Sequence, residues 1–373
     1  MQIYSAGDVV NISSKVSHYK NILQHGTVTI DTLDHADHIS LYIAWREVGG
    51  RILVRGPMLP EQQKKHLDKL VEKHTGNNCV FLHTSGTTGF PKLVSYTQQG
   101  FDRIISKSEM HLDWDKQTSW LNFIPAFTSG FWHIVLPLFV KHNCKIVLGS
   151  KQTMIDDFDS DVNTTMLVPG LIDQMRAANL KLPLHKFAVI GAGASQVLPR
   201  HVEYLFDNGC RVFNHCYGTT ETGSPVLGHK THRVEETNCW LELDEHSEIV
   251  NNELIYNGIP TADLFEVKGN LIKFKGRSND IVKINGYQCS LLLIENSLEE
   301  LGYGECLAVP RNKAGSDYIE LMYTDGNPKK NNLKEKLAPI LPPCNIPLKY
   351  TRIDAVPRNA LNKKVRNAIQ TNS

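Results

Sequence analysis

The sequence predicts an α/β protein: a large N-terminal domain of mixed, largely parallel sheets with packed helices, followed by a small α+β C-terminal domain. Three observations carry this. Short β-branched runs alternate with amphipathic stretches between about residues 79 and 217. After about residue 240 the texture changes to short alternating pieces with turn residues. A basic, glycine-containing junction, "GRSND", then occupies 276–280. Strands that alternate with helices bury both sheet faces and pair in parallel, because each helix carries the chain back across the sheet.

In order, the predicted strands are "CVFL" (79–82), "KIVL" (145–148), "KFAVIG" (186–191) and "RVFNHCY" (211–217). Between them lie the helical patterns "GFDRIISKSEMHL" (100–112), "GLIDQMRAANL" (170–180) and "PRHVEYLFDNG" (199–209), the last closing on the glycine that a left-handed helix end favours. "ELIYNGIP" and "LFEVKGNLIKFKGRSND" read as a β-rich section. It leads into a helix, "LLLIENSLEELGYG", and a strand ending in a turn, "YIELMYTDG". The expected domains are therefore 1–275 and 276–373, and the tail "KKVRNAIQTNS" reads as an exposed, mobile end.

Composition narrows the function classes. With 41% apolar and 21% charged residues in 373, the chain buries a substantial core. Forty basic against thirty-nine acidic side chains leave a formal charge of +1, which argues against nucleic acid or an anionic membrane as the main partner. The eight cysteines stand singly, with no CxxC pair, and His133, His142, His215, His229 and His232 show no ligand spacing, so neither zinc nor a disulfide framework is expected. The start lacks a signal-peptide pattern, and the longest apolar run, "FWHIVLPLFV", is too short to span a bilayer. A cytoplasmic protein without a membrane span is expected.

The chemistry centres on "HTSGTTGFPK", 83–92. A Walker A loop requires its second glycine five residues after the first and a helix opening at the lysine. Here the spacing is Gly86, Gly89, Lys92, and "LVSYT" continues as a strand pattern, so that reading fails. What remains is a loop between two extended segments. It carries amides at Gly86 and Gly89, hydroxyls at Thr84, Ser85, Thr87 and Thr88, and a cation at Lys92. Such a loop either cradles a polyphosphate on consecutive amides or is an ordinary polar hairpin connection.

"TSGTTGFPK" resembles the phosphate-binding signature of the adenylate-forming superfamily, which comprises acyl- and aryl-CoA ligases, peptide-synthetase adenylation domains and firefly-type luciferases. Further signatures follow in the family's order up to about residue 366. In "YGTTETG" (217–223) the resemblance implies that Tyr217 stacks on adenine beside Gly218 and Thr219, that Thr220 touches the α-phosphate and that Glu221 holds Mg2+. "PTADLFEV" places Asp263 on the ribose, with Ala262 where the family usually has glycine. In "GRSNDIVKINGYQCSLLLIE" Arg277 would contact ribose and Asn279 would sit at the hinge. Lys283 and Gly286 would face the active site during thioester formation, and Glu295 heads the following helix. "VPRNALNKKVRNAI" resembles the terminal signature with the catalytic lysine; Lys363 is the register-matched candidate, with Lys364 beside it.

"PAFTSGFWH" and "GAGAS" match the family's acyl-lining segments, which implies a pocket of Phe127, Thr128, Gly191, Ala192 and Gly193. Amino-acid adenylation domains carry an aspartate in the first segment, and its place falls on Thr128, so an acid without an α-amine is expected, aryl or of modest size. The signature loop begins earlier than in full-length relatives, so the chain resembles a minimal, N-terminally shortened member closest in style to the CoA ligases. The resemblance implies ATP, Mg2+, a carboxylic acid and CoA as reactants. A carrier-protein thiol or an amine stands as the alternative acceptor, and a non-catalytic nucleotide-binding protein as the second alternative.

Overall fold

A computed structural model describes residues 2–5, 8–84, 90–115, 117–150, 152–284, 287–313, 316–326, 337, 348–358, 364 and 366; at Asn279, Lys283, Tyr287, Gln288, Lys313 and Ser316 it describes the backbone alone. The protein is of mixed α/β class and divides into two compact units. The first holds Met1–Ser247, Tyr256–Ile259 and Gly269–Ile272, and the second Glu248–Ile255, Pro260–Lys268 and Lys273–Ser373. The change of texture after about residue 240 thus falls just before the chain first enters the second unit.

The first unit is built on two sheets. The larger runs in the order Gly223–Thr231, Phe213–Thr219, Val189–Ala192, Thr164–Leu167, Ser119–Asn122, Lys145–Leu148, Gln2–Ser5 and Asp8–Val9. Its six inner strands are parallel and both edge strands antiparallel. Strands such as Thr164–Leu167 and Val189–Ala192 are buried along their whole length, which is why they read as unbroken small and apolar runs rather than alternating ones.

The second sheet pairs Thr27–Ile30, Arg51–Val54 and Cys79–His83 in parallel and closes with antiparallel Leu93–Tyr96. Helix His35–Val48 connects the first two strands and Glu61–Lys73 the next two. Asp34 starts the first of these helices by accepting a hydrogen bond from the Ala36 amide at 2.8 Å, and Thr97 starts Gln98–Leu112 by accepting one from Gly100 at 3.1 Å. Trp45, Trp120 and Trp132 lie in the shared core, which these elements enclose.

The helix predicted at 199–209 spans Pro199–Asp207, and Gly209 follows it at φ +91°, the conformation its glycine was expected to supply. The strand predicted at 186–191 begins later, at Val189. Leu184–Lys186 forms a short 3-10 turn with Leu184 wholly buried, so the chain enters the sheet only after that anchor.

The second unit packs helix Leu291–Glu300 against the strands Cys306–Lys313, Ser316–Tyr323 and Leu348–Arg352, around Ile294, Leu298, Tyr303, Ile319 and Leu321. Ser290 caps the helix by accepting from Leu293 N at 3.3 Å. The hairpin Ile281–Ile284 with Tyr287–Ser290 leads into it. The tail corrects one expectation: at Lys364 and Arg366 it is not an exposed end, because both side chains are bound to buried or half-buried carboxylates of this unit. Among the described residues no helix is long and apolar enough to cross a membrane.

Candidate functional site

The hairpin Cys79–His83 and Leu93–Tyr96 presents the glycine-rich loop. Thr84 N donates to the Lys92 carbonyl at 3.0 Å and closes its base, while Lys92 itself is exposed. No helix opens at Lys92, in keeping with the failed Walker spacing. Ser85, Gly86, Thr87, Thr88 and Gly89 lie outside the described residues.

Two other segments meet this hairpin. The Tyr96 hydroxyl, at the end of the exit strand, donates to the carbonyl of Thr220, and Thr220 Oγ1 donates to Ser129 Oγ at 3.1 Å. Three segments distant in sequence therefore converge on one threonine. The turn holding it is fixed from within: Thr219 N donates to Thr222 Oγ1 at 3.1 Å and Thr222 N to Thr219 Oγ1 at 3.2 Å. Tyr217 is half-buried just before a register shift in the strand pair, and Glu221 projects exposed beyond Thr220. Burial, and after it the charge of Glu221, raises the Tyr96 hydroxyl above its ordinary pKa, so Tyr96 stays a proton donor.

Two glycines here are required by contact. A Cβ at Gly218 would stand 2.6 Å from the Gly223 carbonyl oxygen, and one at Gly193 would stand 2.3 Å from that of Cys216. Gly191 is different, since a Cβ there would come no closer than 3.4 Å, to Met166 Cγ. Ala192 is wholly buried between them.

The segment 125–133 is held from behind. Asn122 Nδ2 donates to the Ile124 carbonyl at 3.0 Å, and His35 Nε2 meets the same oxygen at 2.9 Å. Thr128 Oγ1 donates to Pro125 O at 2.8 Å and accepts from Phe131 N at 3.2 Å, so this hydroxyl is used in starting the π-helical turn Phe131–Val135. Such turns recur at functional sites. Phe127 lies half-buried beside Gly56. Trp132 Nε1 donates to His38 Nδ1 at 3.1 Å, which leaves His38 Nε2 to donate to Thr32 O at 3.0 Å. Burial lowers His38 to a pKa of about 4 and His133, edge-on to the Tyr96 ring, to about 3. Both are neutral supports.

In the second unit Asp263 is buried and Arg277 Nε lies 2.7 Å from its Oδ1. Ala262 adopts φ +58°, with its amide donating to Glu253 Oε1 at 2.8 Å. The alanine thus takes the left-handed conformation that glycine would take without strain, so the departure from the family pattern leaves the turn intact. Asn279 falls in the 3-10 turn Ser278–Asp280 and Lys283 in strand Ile281–Ile284, both seen as backbone only. Gly286 and Lys363 lie outside the described residues. Lys364 lies inside them, with its ammonium on Glu299 at 2.6 Å.

The sequence did not single out Tyr96, Ser129, Asn122 or His35. Tyr96 closes the predicted strand "LVSYT", and Ser129 adjoins Thr128; nothing local marks their partners, which lie 124 and 91 residues away.

For metal, Glu221 supplies an exposed carboxylate next to threonine hydroxyls, a hard oxygen set that fits Mg2+ shared with phosphates and water. Among the described residues no three His, Cys, Asp or Glu side chains converge on one point.

Comparison with known proteins gives a consistent result. The AMP-binding enzyme family matches residues 23–246, more than half of the chain. A 2-succinylbenzoate–CoA ligase of Staphylococcus epidermidis is 22% identical over 331 residues, covering 78% of this chain and 69% of the ligase. Bacitracin synthase 3 of Bacillus licheniformis is 24% identical over 353 residues, 79% of this chain, which spans only 5% of that synthase. An o-succinylbenzoate coenzyme A synthetase from Bacillus subtilis, solved with ATP and magnesium ion, shares the fold with a TM-score of 0.74 at 15% identity. The match covers 98% of this chain and 95% of that one.

Proposed function

Since the chain belongs to the AMP-binding enzyme family, we propose that it activates a carboxylic acid without an α-amine, aryl or of modest acyl size, as its acyl-adenylate and then transfers the acyl group to the thiol of CoA. The observation that carries this reading is the convergence of the loop hairpin, through Tyr96, and of the 125–133 segment, through Ser129, on Thr220. It brings the base hairpin of the loop, Thr220 and the 125–133 segment together within one unit, which supports reading them as phosphate loop, α-phosphate ligand and acyl lining.

In the first step a carboxylate oxygen attacks the α-phosphorus of ATP; the bond to the β-phosphate oxygen breaks and pyrophosphate leaves. Thr220, the 84–92 loop with Lys92, and Lys363 stabilise the charge that develops. Glu221 would hold Mg2+, which would offset polyphosphate charge. Tyr217 stacks on adenine, with Gly218 and Thr219 following it at the strand end, and Asp263 accepts from the ribose hydroxyls in an orientation fixed by Arg277. In the second step the thiol sulfur attacks the acyl carbon, AMP departs and the thiol proton passes to water. Residues 276–373 move as the C-terminal domain, turning at Asn279 to present Lys283 and Gly286.

Thr128 supports an acid without an ammonium group: its side chain bears no charge and its hydroxyl is already bonded within the segment. Phe127 and Thr128, both half-buried, front the proposed acyl pocket, with Gly191, Ala192 and Gly193 buried behind them. The experiment is pyrophosphate release from Mg·ATP with a panel of acids beginning with 2-succinylbenzoate, with and without CoA. Release that needs the acid and rises with CoA supports the ligase. Acid-dependent release indifferent to CoA transfers the reading to a carrier thiol or an amine, and no release with any acid leaves a nucleotide-binding protein.

A further inference from the structure

Helix Leu291–Glu300 carries Glu295 and Glu299, four residues apart and so on one face. Glu295 is wholly buried, and its Oε1 accepts from Ala308 N at 2.9 Å and from Arg366 Nε and Nη2 at 3.2 and 2.9 Å. Glu299 Oε1 accepts from Lys364 Nζ at 2.6 Å and from Cys306 N at 3.1 Å. The Lys364 ammonium also donates to Cys306 O at 2.7 Å and lies 3.6 Å from Glu295 Oε2. Arg366 Nη1 reaches across to Asp280 Oδ1 at 2.8 Å, in the turn that follows Arg277. Arg358, bridged to Lys364 through the backbone, pairs with Glu305 at 2.7 Å.

Two consequences follow from elementary chemistry. A buried carboxylate persists in charged form only when paired, so the Glu295 site demands the guanidinium. An ammonium has three N–H donors and no acceptor; Lys364 gives one to the Glu299 carboxylate and one to the Cys306 carbonyl, and it lies 3.6 Å from Glu295 Oε2 as an ion pair. Its charge is thereby committed to two carboxylates of this unit, and bridging a substrate carboxylate and a phosphate would require it to give these partners up.

We propose that Lys364 is a positioning residue, which with Arg366 docks the terminal segment onto the helix carboxylates and the 278–280 turn and so sets Lys363, its neighbour in sequence, as the reacting cation. The proposal rests on the reading above, that a terminal lysine serves adenylation. It assigns the two adjacent lysines opposite tasks: one carries charge to the reaction and the other anchors the backbone. The 278–280 turn and the lysine segment then move as one piece.

The test uses Lys364→Met, Glu299→Gln and their double variant in the full chain. Adenylation is read by ATP–pyrophosphate exchange with 2-succinylbenzoate, or with whichever panel acid the wild type exchanges. Thioester formation is read separately, from synthetic acyl-adenylate and CoA. Each single variant is expected to lower exchange about tenfold, the size of one charge-assisted hydrogen bond. The double variant should be no worse than the poorer single one, because both remove the same contact. The thioester step should be unchanged, and Lys364→Arg should recover most of the exchange even if Lys364→Met folds poorly. The proposal is overturned if Lys364→Met loses all exchange while Glu299→Gln keeps it, which would make Lys364 itself the reacting group. It is also overturned if the variants exchange normally, or if both half-reactions fall together. Should the wild type exchange with no acid, the functional reading fails, and the dock is read by trypsin cleavage after Lys363 and Lys364: faster cleavage in Glu299→Gln supports it and unchanged cleavage sinks it.

Discussion

The surroundings of Thr220 and of Glu295 are assembled from opposite materials. Around Thr220 the contacts are neutral: a phenol on a carbonyl, a hydroxyl on a hydroxyl, and behind them imidazoles that burial keeps uncharged. Around Glu295 every side chain in the network is ionic. The difference has a functional logic. On the proposed function, a site for a polyphosphate would keep its own charges unspent: neither Lys92 nor Glu221, both exposed, makes an ion pair among the described residues. A dock that only holds a chain end can commit its charges to one another, and their removal is costly while their geometry is demanding.

The largest expected effect breaks the ionic side. Arg366→Ala leaves Glu295 buried without its guanidinium and should destabilise the second unit by about 3–5 kcal/mol, as that of a broken buried pair. Calorimetry should show this as an early transition with the first unit's melting little changed; a single unshifted transition would mean the pair contributes nothing. Next comes acid. His38 binds its proton only near pH 4 when folded but near 6.5 when unfolded. The unfolded state therefore takes up more protons in that window, and stability present above about pH 6.5 is lost as pH falls towards 4. The loss from His38 is on the order of 3 kcal/mol. Melting of His38→Gln across the same pH range should be flatter than that of the wild type.

Lys363→Ala is expected to lower acid-dependent pyrophosphate exchange by about a hundredfold, roughly 2.7 kcal/mol in the barrier. Near-normal exchange would show that the lysine has been placed wrongly. Tyr96→Phe, the mildest change, strips the Thr220 carbonyl of its donor and should cost about 1–2 kcal/mol. If Tyr96 aligns the catalytic turn, the loss appears in kcat and in the Mg2+ concentration needed, with the KM for the acid unmoved. A loss confined to thermal stability would reduce it to packing.

Much of this was legible in the sequence for reasons that differ by region. Inner strands such as Val189–Ala192 announce themselves because burial on both faces leaves only apolar or small residues. Gly218 stood out through its motif, and the contact with the Gly223 carbonyl explains it. Tyr96 and Ser129 were invisible because a hydrogen bond across 124 or 91 residues leaves no local pattern. The tail misled for the same reason: Lys364 and Arg366 look like solvated charges until helix Leu291–Glu300 is brought beside them. Ala262 shows the reverse case, a residue type that argues against a turn which the backbone nonetheless makes.

The interleaving of the chain between the two units also limits how the molecule can be taken apart. A stop codon after Ser247 would remove Tyr256–Ile259 and Gly269–Ile272, which belong to the first unit. Leu241 and Glu242 would then lose Ile272 and Leu271, their antiparallel partners. No single cut separates the units, so producing the first alone requires keeping Tyr256–Ile259 and Gly269–Ile272 while replacing the second unit's stretches around them, and a ribosome-bound nascent chain cannot finish the first unit until it has already begun the second.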